Sequence, residues 1–225
     1  MDWLSPASVG VLTTIILILA LRPAAVASGL IDSPGGRKSH IGHVPVVGGI
    51  GMFIGMTAGL WLVPNADSQY LFMLLAAGIL IGIGVIDDRK HVSLYARLGA
   101  QAAAASVMVY GGNLLITDIG DPFGTGIIGT GSWAYLFTVL VCVSVINAFN
   151  FIDGIDGLAG CLALVAIGAV TVVALDMPGS IALAGVVCIA SILGFLIFNF
   201  PTSLNRQFRT FMGDAGSTLL GIVVL

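Results

Sequence analysis

Seven apolar runs divide the chain, each of about 17 to 21 residues and so long enough to cross a hydrocarbon core of roughly 30 Å as a helix. They cover residues 7–27, 44–63, 70–86, 94–111, 133–149, 158–175 and 180–200, and an eighth begins near Ser217. With 58% hydrophobic and 8% charged residues among 225, the chain carries more apolar content than a soluble domain of this size needs for its core. The fold expected is an all-α polytopic integral membrane protein, with seven transmembrane helices and the start of an eighth forming one transmembrane domain over residues 1–225. The first run is too long for a signal-peptide core and no basic residue precedes it, so it reads as a retained span.

Charge placement sets the expected topology, because short loops rich in Lys and Arg stay cytoplasmic. All eight basic residues fall on one side: Arg22, Arg37, Lys38, Arg89, Lys90, Arg97, Arg206 and Arg209. The opposite loops, around Asp67, Asp118 to Asp121 and Asp176, hold none. The amino terminus is therefore expected outside. The same assignment puts Asp32, Asp87, Asp88, Asp153, Asp156, Asp214 and all three histidines on the cytoplasmic face. Four segments far apart in sequence thus bring acids and bases to one membrane surface, where helix packing is expected to make them converge.

Each segment has a plain and a chemical reading. In "GVIDDRKHVSLYAR", Asp87 and Asp88 form either a solvated, internally paired turn or adjacent carboxylates that bind Mg²⁺ or position a proton. In "NAFNFIDGIDGLAG", Asn147, Asn150, Asp153 and Asp156 recur every three residues, a step about 60° short of a helical turn, so they cannot share one narrow helix face. The asparagines are expected in the last turn of helix 5, with Gly154 and Gly157 releasing the backbone and Asp156 capping helix 6. Capping explains one Asp and at most one Asn, not all four residues.

In "FMGDAGSTLLG", free N–H groups at a helix start are expected to face an anion. Asp214 beside them is either an N-cap or, more sharply, a metal ligand, since a carboxylate next to a phosphate needs a cation between them. "DSPGGRKSHIGHVPVVGG" passes for an ordinary basic loop, with Pro45, Gly48 and Gly49 marking a bend or close backbone approach at the mouth of helix 2. Cys142, Cys161 and Cys188 lie in apolar runs and read as packing residues. The outside loop 111–132 carries turn signals suited to a hairpin.

The segments "DSPGGRKSH…PVVGG", "IDDRKHVS", "NAFNFIDGIDGLAG" and "FMGDAGSTLLG", in this order, closely resemble the polyprenyl-phosphate N-acetylhexosamine-1-phosphate transferases, the WecA-like branch of the MraY superfamily. The resemblance covers essentially the whole chain. It implies a reaction on the cytoplasmic face of the inner (plasma) membrane: a hexosamine 1-phosphate, N-acetylglucosamine 1-phosphate by default, passes from a UDP-sugar to undecaprenyl phosphate and UMP leaves. This is the first lipid-linked step of a cell-envelope polysaccharide. Two phosphate-bearing substrates meeting in this way need their charge neutralised by a cation and by Arg or Lys.

Residue by residue, the resemblance makes Asp214 the metal ligand and Asp87, Asp88, Asp153 and Asp156 the catalytic carboxylates. Asn147 and Asn150, with the basic Arg37, Lys38 and His40, become substrate contacts. Which of Asp87 and Asp88 handles the lipid phosphate, and whether a carboxylate forms a covalent intermediate, stays open. The cofactor implied is Mg²⁺, with Mn²⁺ as a substitute. The partners are the UDP-N-acetylhexosamine, undecaprenyl phosphate and the bilayer, with a homodimer left open and no nucleic acid. Family members continue through further helices and a His-rich loop, whereas this sequence stops at Leu225, so it resembles a C-terminally truncated member and residues 1–225 alone are not expected to turn over.

Two other classes fit less well. A CDP-alcohol phosphotransferase would carry an Asp-Gly-x-x-Ala-Arg pattern, and "DGIDGLAG" lacks the Arg. A cation transporter would place aspartates in mid-span, and here they gather near helix ends on one side. Within the superfamily, "RKSH" and "FNFIDGIDGL" fit the free-hexosamine branch better than the peptidoglycan-precursor transferases.

Overall fold

A computed structural model describes residues 3–32, 43–64, 68–177, 180–201 and 207–225. Almost all regular structure among them is helical: α1 (Leu4–Ser28), α2 (Gly48–Leu60), α3 (Ser68–Lys90), α4 (Leu94–Gly111), α5 (Ala134–Ile152), α6 (Leu158–Ala174), α7 (Ile181–Asn199) and α8 (Gly213–Val223). Four are long and apolar enough to cross a membrane, namely α1, α3, α7 and α5 with the short 3-10 turn before it. Helices α2 and α6 are apolar but shorter.

The apolar helices carry hydroxyl residues that a hydrocarbon solvent would penalise unless they were bonded. Thr14, Thr57, Ser106, Thr138, Ser144 and Thr171 each donate to the carbonyl four residues back, so the helix satisfies its own side chains.

Expected and observed helices agree at α4 and differ most at α2. Residues 44–47 read as part of an apolar span, yet Val44–Pro45 form a strand antiparallel to Ile31–Asp32. Proline cannot donate within a helix and Val44, Val46 and Val47 are β-branched, so the chain stays extended until Gly48. At 13 residues, α2 rises only about 20 Å. Helix α8 begins earlier than expected, at Gly213. The loop 111–132 has the expected hairpin character: Ile119 N–H donates to Ile128 O, Ile128 N–H to Gly120 O and Thr130 N–H to Thr117 O.

The helix that organises the bundle is α8. Residues 215–222 are all buried, against α3, α5 and α2. Such close approach needs small residues: Gly49 of α2 lies against the backbone of Gly216, where a β-carbon would collide. The N-terminus of α8 therefore sits at the middle of one end of the bundle. It meets there the C-terminal ends of α3 and α5.

Candidate active site

Gly213 opens α8 in the left-handed region, at φ +69°. A side chain there would strike the Asp88 carboxylate, so glycine is what admits Asp88 to this turn. Asp88, from the last turns of α3, accepts the N–H of Asp214 at 2.8 Å and of Ala215 at 3.4 Å. The anion expected at the start of this helix is thus a protein carboxylate from 126 residues away. An anion so placed stabilises the helix by about 1 to 2 kcal/mol when partly buried. Asp214 itself is not the N-cap, which is Met212.

Asp87 faces elsewhere. Its Oδ1 accepts Val92 N–H at 2.6 Å, which turns the chain out of α3, and His91 takes the left-handed conformation needed to continue the turn. Its Oδ2 is buried, lies 3.2 Å from Arg97 Nη1 and has no hydrogen bond of good geometry. Asp87 and Asp214 line one small cavity together with Arg97, Gln101 and Thr218.

Asn150 ties this cavity together. Its amide donates to Asp214 Oδ1 at 2.7 Å and to Ser217 Oγ at 2.9 Å, and its carbonyl accepts from Arg97 Nη2 at 3.3 Å. Asn147, three residues earlier, does something different. It donates to Gln101 Oε1 and to Val143 O and accepts from Gln101 Nε2, a reciprocal amide pair between α5 and α4. Its hydrogen-bonding groups are spent on helix packing. One turn of helix thus separates a residue aimed at the acidic cluster from one aimed at a neighbouring helix.

Asp153 follows α5 directly. Burial of its charge and the negative charges of Asp214, Asp88 and Asp156 push its carboxyl up to about 8. Asp156, the expected cap of α6, instead forms an ion pair with Arg209, and the N-cap position of α6 belongs to Gly157, with φ +75°. Gly157 N–H donates at 2.6 Å to the side-chain oxygen of Asn199, from the end of α7. Asn199 also donates to Thr210 O, tying the α5–α6 turn to the extended segment before α8.

Several of these residues carry no chemical role in the sequence pattern. Arg97 and Arg209 register there only as topology signals, and Gln101 and Asn199 do not stand out. A polar residue in or at the end of an otherwise apolar helix is the signal that could find them. Arg37, Lys38 and His40 lie outside the described residues.

The donor set suits a hard divalent cation. Among the described residues Asp87 Oδ2 lies buried beside Asp214 with Arg97 at 3.2 Å, and burial with the surrounding negative charge pushes the Asp153 carboxyl up to about 8, so acidic groups outnumber the cations of the cluster. Among the described residues no three acidic, imidazole or thiol side chains come close enough to enclose a metal ion. Mg²⁺ needs no more than one or two carboxylates, since it fills its octahedron with water and substrate phosphate.

Comparison with known proteins adds to this geometry. The family model for glycosyl transferase family 4 matches residues 70–225. An undecaprenyl-phosphate alpha-N-acetylglucosaminyl 1-phosphate transferase of Escherichia coli O157:H7 is 39% identical over 97% of the chain. Proteins of the same name from Yersinia pestis and Haemophilus influenzae are 34% and 35% identical over 95% and 93% of it. The chain spans 59% of the length of each of these relatives.

Proposed function

The chain belongs to glycosyl transferase family 4, and on that premise we propose that it transfers N-acetylglucosamine 1-phosphate from a UDP-sugar to undecaprenyl phosphate at the cytoplasmic face of the membrane, releasing UMP. One observation carries the reading: Asp87, Asp88, Asn150, Asp153, Asp156 and Asp214, with Arg97 and Arg209, come together where α3, α5 and α8 meet. The names of the relatives supply the acceptor and the transferred group.

Asp214 and Oδ2 of Asp87 are the groups that would hold Mg²⁺. A bound ion there supplies charge neutralisation for the two phosphates as they approach. Asp88 does not share that task. Both its oxygens hold the start of α8, which fixes where Asp214 points. Asn150 orients the Asp214 carboxylate from the other side.

Asp153, with its carboxyl near 8, is poised to accept or hold a proton at working pH. Arg97 supplies the cation next to Asp87, and Asp156 with Arg209 forms the wall on the α6 side. Arg37, Lys38, His40 and Asn147 keep their assignment as substrate contacts only by resemblance; the paired amides of Asn147 and Gln101 favour a packing role for Asn147 instead.

The same reading takes α1 to α7 as seven crossings with the amino terminus outside, α8 starting an eighth. The test is direct. Membranes carrying the full-length protein are incubated with undecaprenyl phosphate, Mg²⁺ and a panel of UDP-sugars, and UMP is measured. UMP release that depends on both the lipid phosphate and UDP-N-acetylglucosamine is expected. Release with no UDP-sugar of the panel would refute the reading.

A further inference from the structure

Arg22 is the one basic residue inside α1, a helix that gives no carboxylate to the acidic cluster. Its guanidinium reaches across to the segment that precedes α8. Nη1 lies 2.6 Å from Phe208 O, 2.6 Å from Arg209 O and 2.8 Å from Thr210 Oγ1, while Nη2 donates to Gln207 O at 2.8 Å. The Phe208 ring packs 5.8 Å from the guanidinium carbon. Three successive carbonyls, of residues 207, 208 and 209, turn toward one side chain. Residues 207 and 208 form a turn and residue 209 lies outside any helix or strand. One guanidinium holds all three carbonyls of that stretch.

The next residues of the chain give this contact its consequence. Arg209 forms the ion pair with Asp156 and lies 5.2 Å over the Phe211 ring. Thr210 N–H donates to Phe198 O, and Phe211 N–H to Pro45 O. The N–H groups of Gly48 and Gly49 in α2 donate to the carbonyls of Phe211 and Met212. Residues 210–212 are therefore pinned by α7, the short strand and α2. Among the described residues, Arg22 bonds the backbone carbonyls of residues 207–209.

We propose that Arg22 is a positioning residue for the transfer reaction: by collecting the carbonyls of residues 207–209 it sets the height of Arg209, and through Arg209 the orientation of Asp156. The proposal rests on the transferase reading for its kinetic consequence, although the pinning itself does not. Lysine cannot replace arginine here. A single ammonium offers three donors from one point, whereas the planar guanidinium spreads its donors along the segment.

The kinetic arm uses the full-length protein with Arg22→Gln, Arg22→Lys, Arg209→Gln and the double variant Arg22→Gln/Arg209→Gln. The expected loss in kcat/KM is on the order of tenfold to a hundredfold for Arg22→Gln, as for other misplacements remote from the chemistry, with Arg22→Lys between it and wild type. In the Arg209→Gln background the further loss should be no more than about twofold, because the two residues act in series. Losses that multiply would make Arg22 a merely structural residue, and wild-type kinetics in Arg22→Lys would also overturn the proposal. The Lys variant keeps the charge and decides the matter if the Gln variant does not accumulate in membranes.

A second arm is independent of turnover. In the full-length protein with Cys142, Cys161, Cys188 and any further native cysteine changed to Ala, the labelling rate of Gln207→Cys by a thiol reagent is measured with and without Arg22→Lys. A clear rise in rate is expected, and an unchanged rate overturns the pinning. If wild type releases no UMP, the transferase reading falls and this arm still judges Arg22.

Discussion

The two ends of the helix bundle both carry aspartates, and they use them differently. At the end that carries the 111–132 loop, Asp118 accepts from Gly120 N–H and from Thr117, and Asp121 accepts from Thr125 N–H, all within four residues of sequence. At the other end, Asp88 holds a helix start 126 residues away, Asp214 is bonded from 64 residues away and Asp156 pairs with a cation 53 residues away. The first set shapes a loop. The second joins helices that meet only in the folded protein, and it leaves oxygen and charge unsatisfied. Acidic content alone therefore does not mark a site; long-range partners and an incomplete charge balance do.

That contrast orders the expected effects of substitution. The largest should come from Asp214→Asn, which keeps shape and the Asn150 contact while removing a charge. Loss of several kcal/mol of transition-state stabilisation corresponds to a rate reduction on the order of a hundredfold or more, measured as UMP release. Because Asp214 is not the cap of α8, helix content should be unchanged by circular dichroism.

Asp88→Asn should act through structure. An amide still accepts one N–H but loses the charge at the helix start, worth about 1 to 2 kcal/mol, so activity should fall roughly tenfold together with a lower unfolding temperature. Replacing Asn147 by Leu leaves buried Gln101 without its partner and should cost about 1 to 3 kcal/mol of stability. In that variant KM for the UDP-sugar should hardly move. A large rise in KM would restore Asn147 to the substrate site. Smallest of all, Asp118→Asn and Asp121→Asn should leave turnover within about twofold of wild type, as local loop contacts do not reach the other end.

Much of this is legible in the sequence. Hydropathy locates the eight α-helices of the described residues to within a few positions, because a long apolar run in an apolar setting must satisfy its backbone as a helix, and Lys and Arg placement already groups the acidic segments that the fold brings together. The start of α2 is harder to read since 44–47 are apolar in strand and helix alike, and only Pro45 hints at the extended conformation. The division between Asp87 and Asp88 is not legible at all. Adjacent residues on a helix point about 100° apart, and which one meets α8 depends on how α3 and α8 pack. The roles of Asn147 and Asn150 separate for the same reason. Asn199 and Arg22 act over distances of more than forty residues, and a single sequence gives no sign of such partners.

The proposed function requires the acids where α3, α5 and α8 meet to share a divalent cation, and asks nothing of the kind from those of the 111–132 loop. Mn²⁺ binding to the purified protein, read by electron paramagnetic resonance, tests it most directly in wild type, Asp214→Asn and Asp121→Asn. Burial and neighbouring negative charge push the Asp153 carboxyl up to about 8, and a proton there opposes the ion. Affinity should therefore rise with pH and level off above about 8. Binding is expected in wild type and Asp121→Asn alike, with affinity at least tenfold weaker in Asp214→Asn. Equal affinity in Asp214→Asn and wild type, or an equal loss in Asp121→Asn, would contradict it.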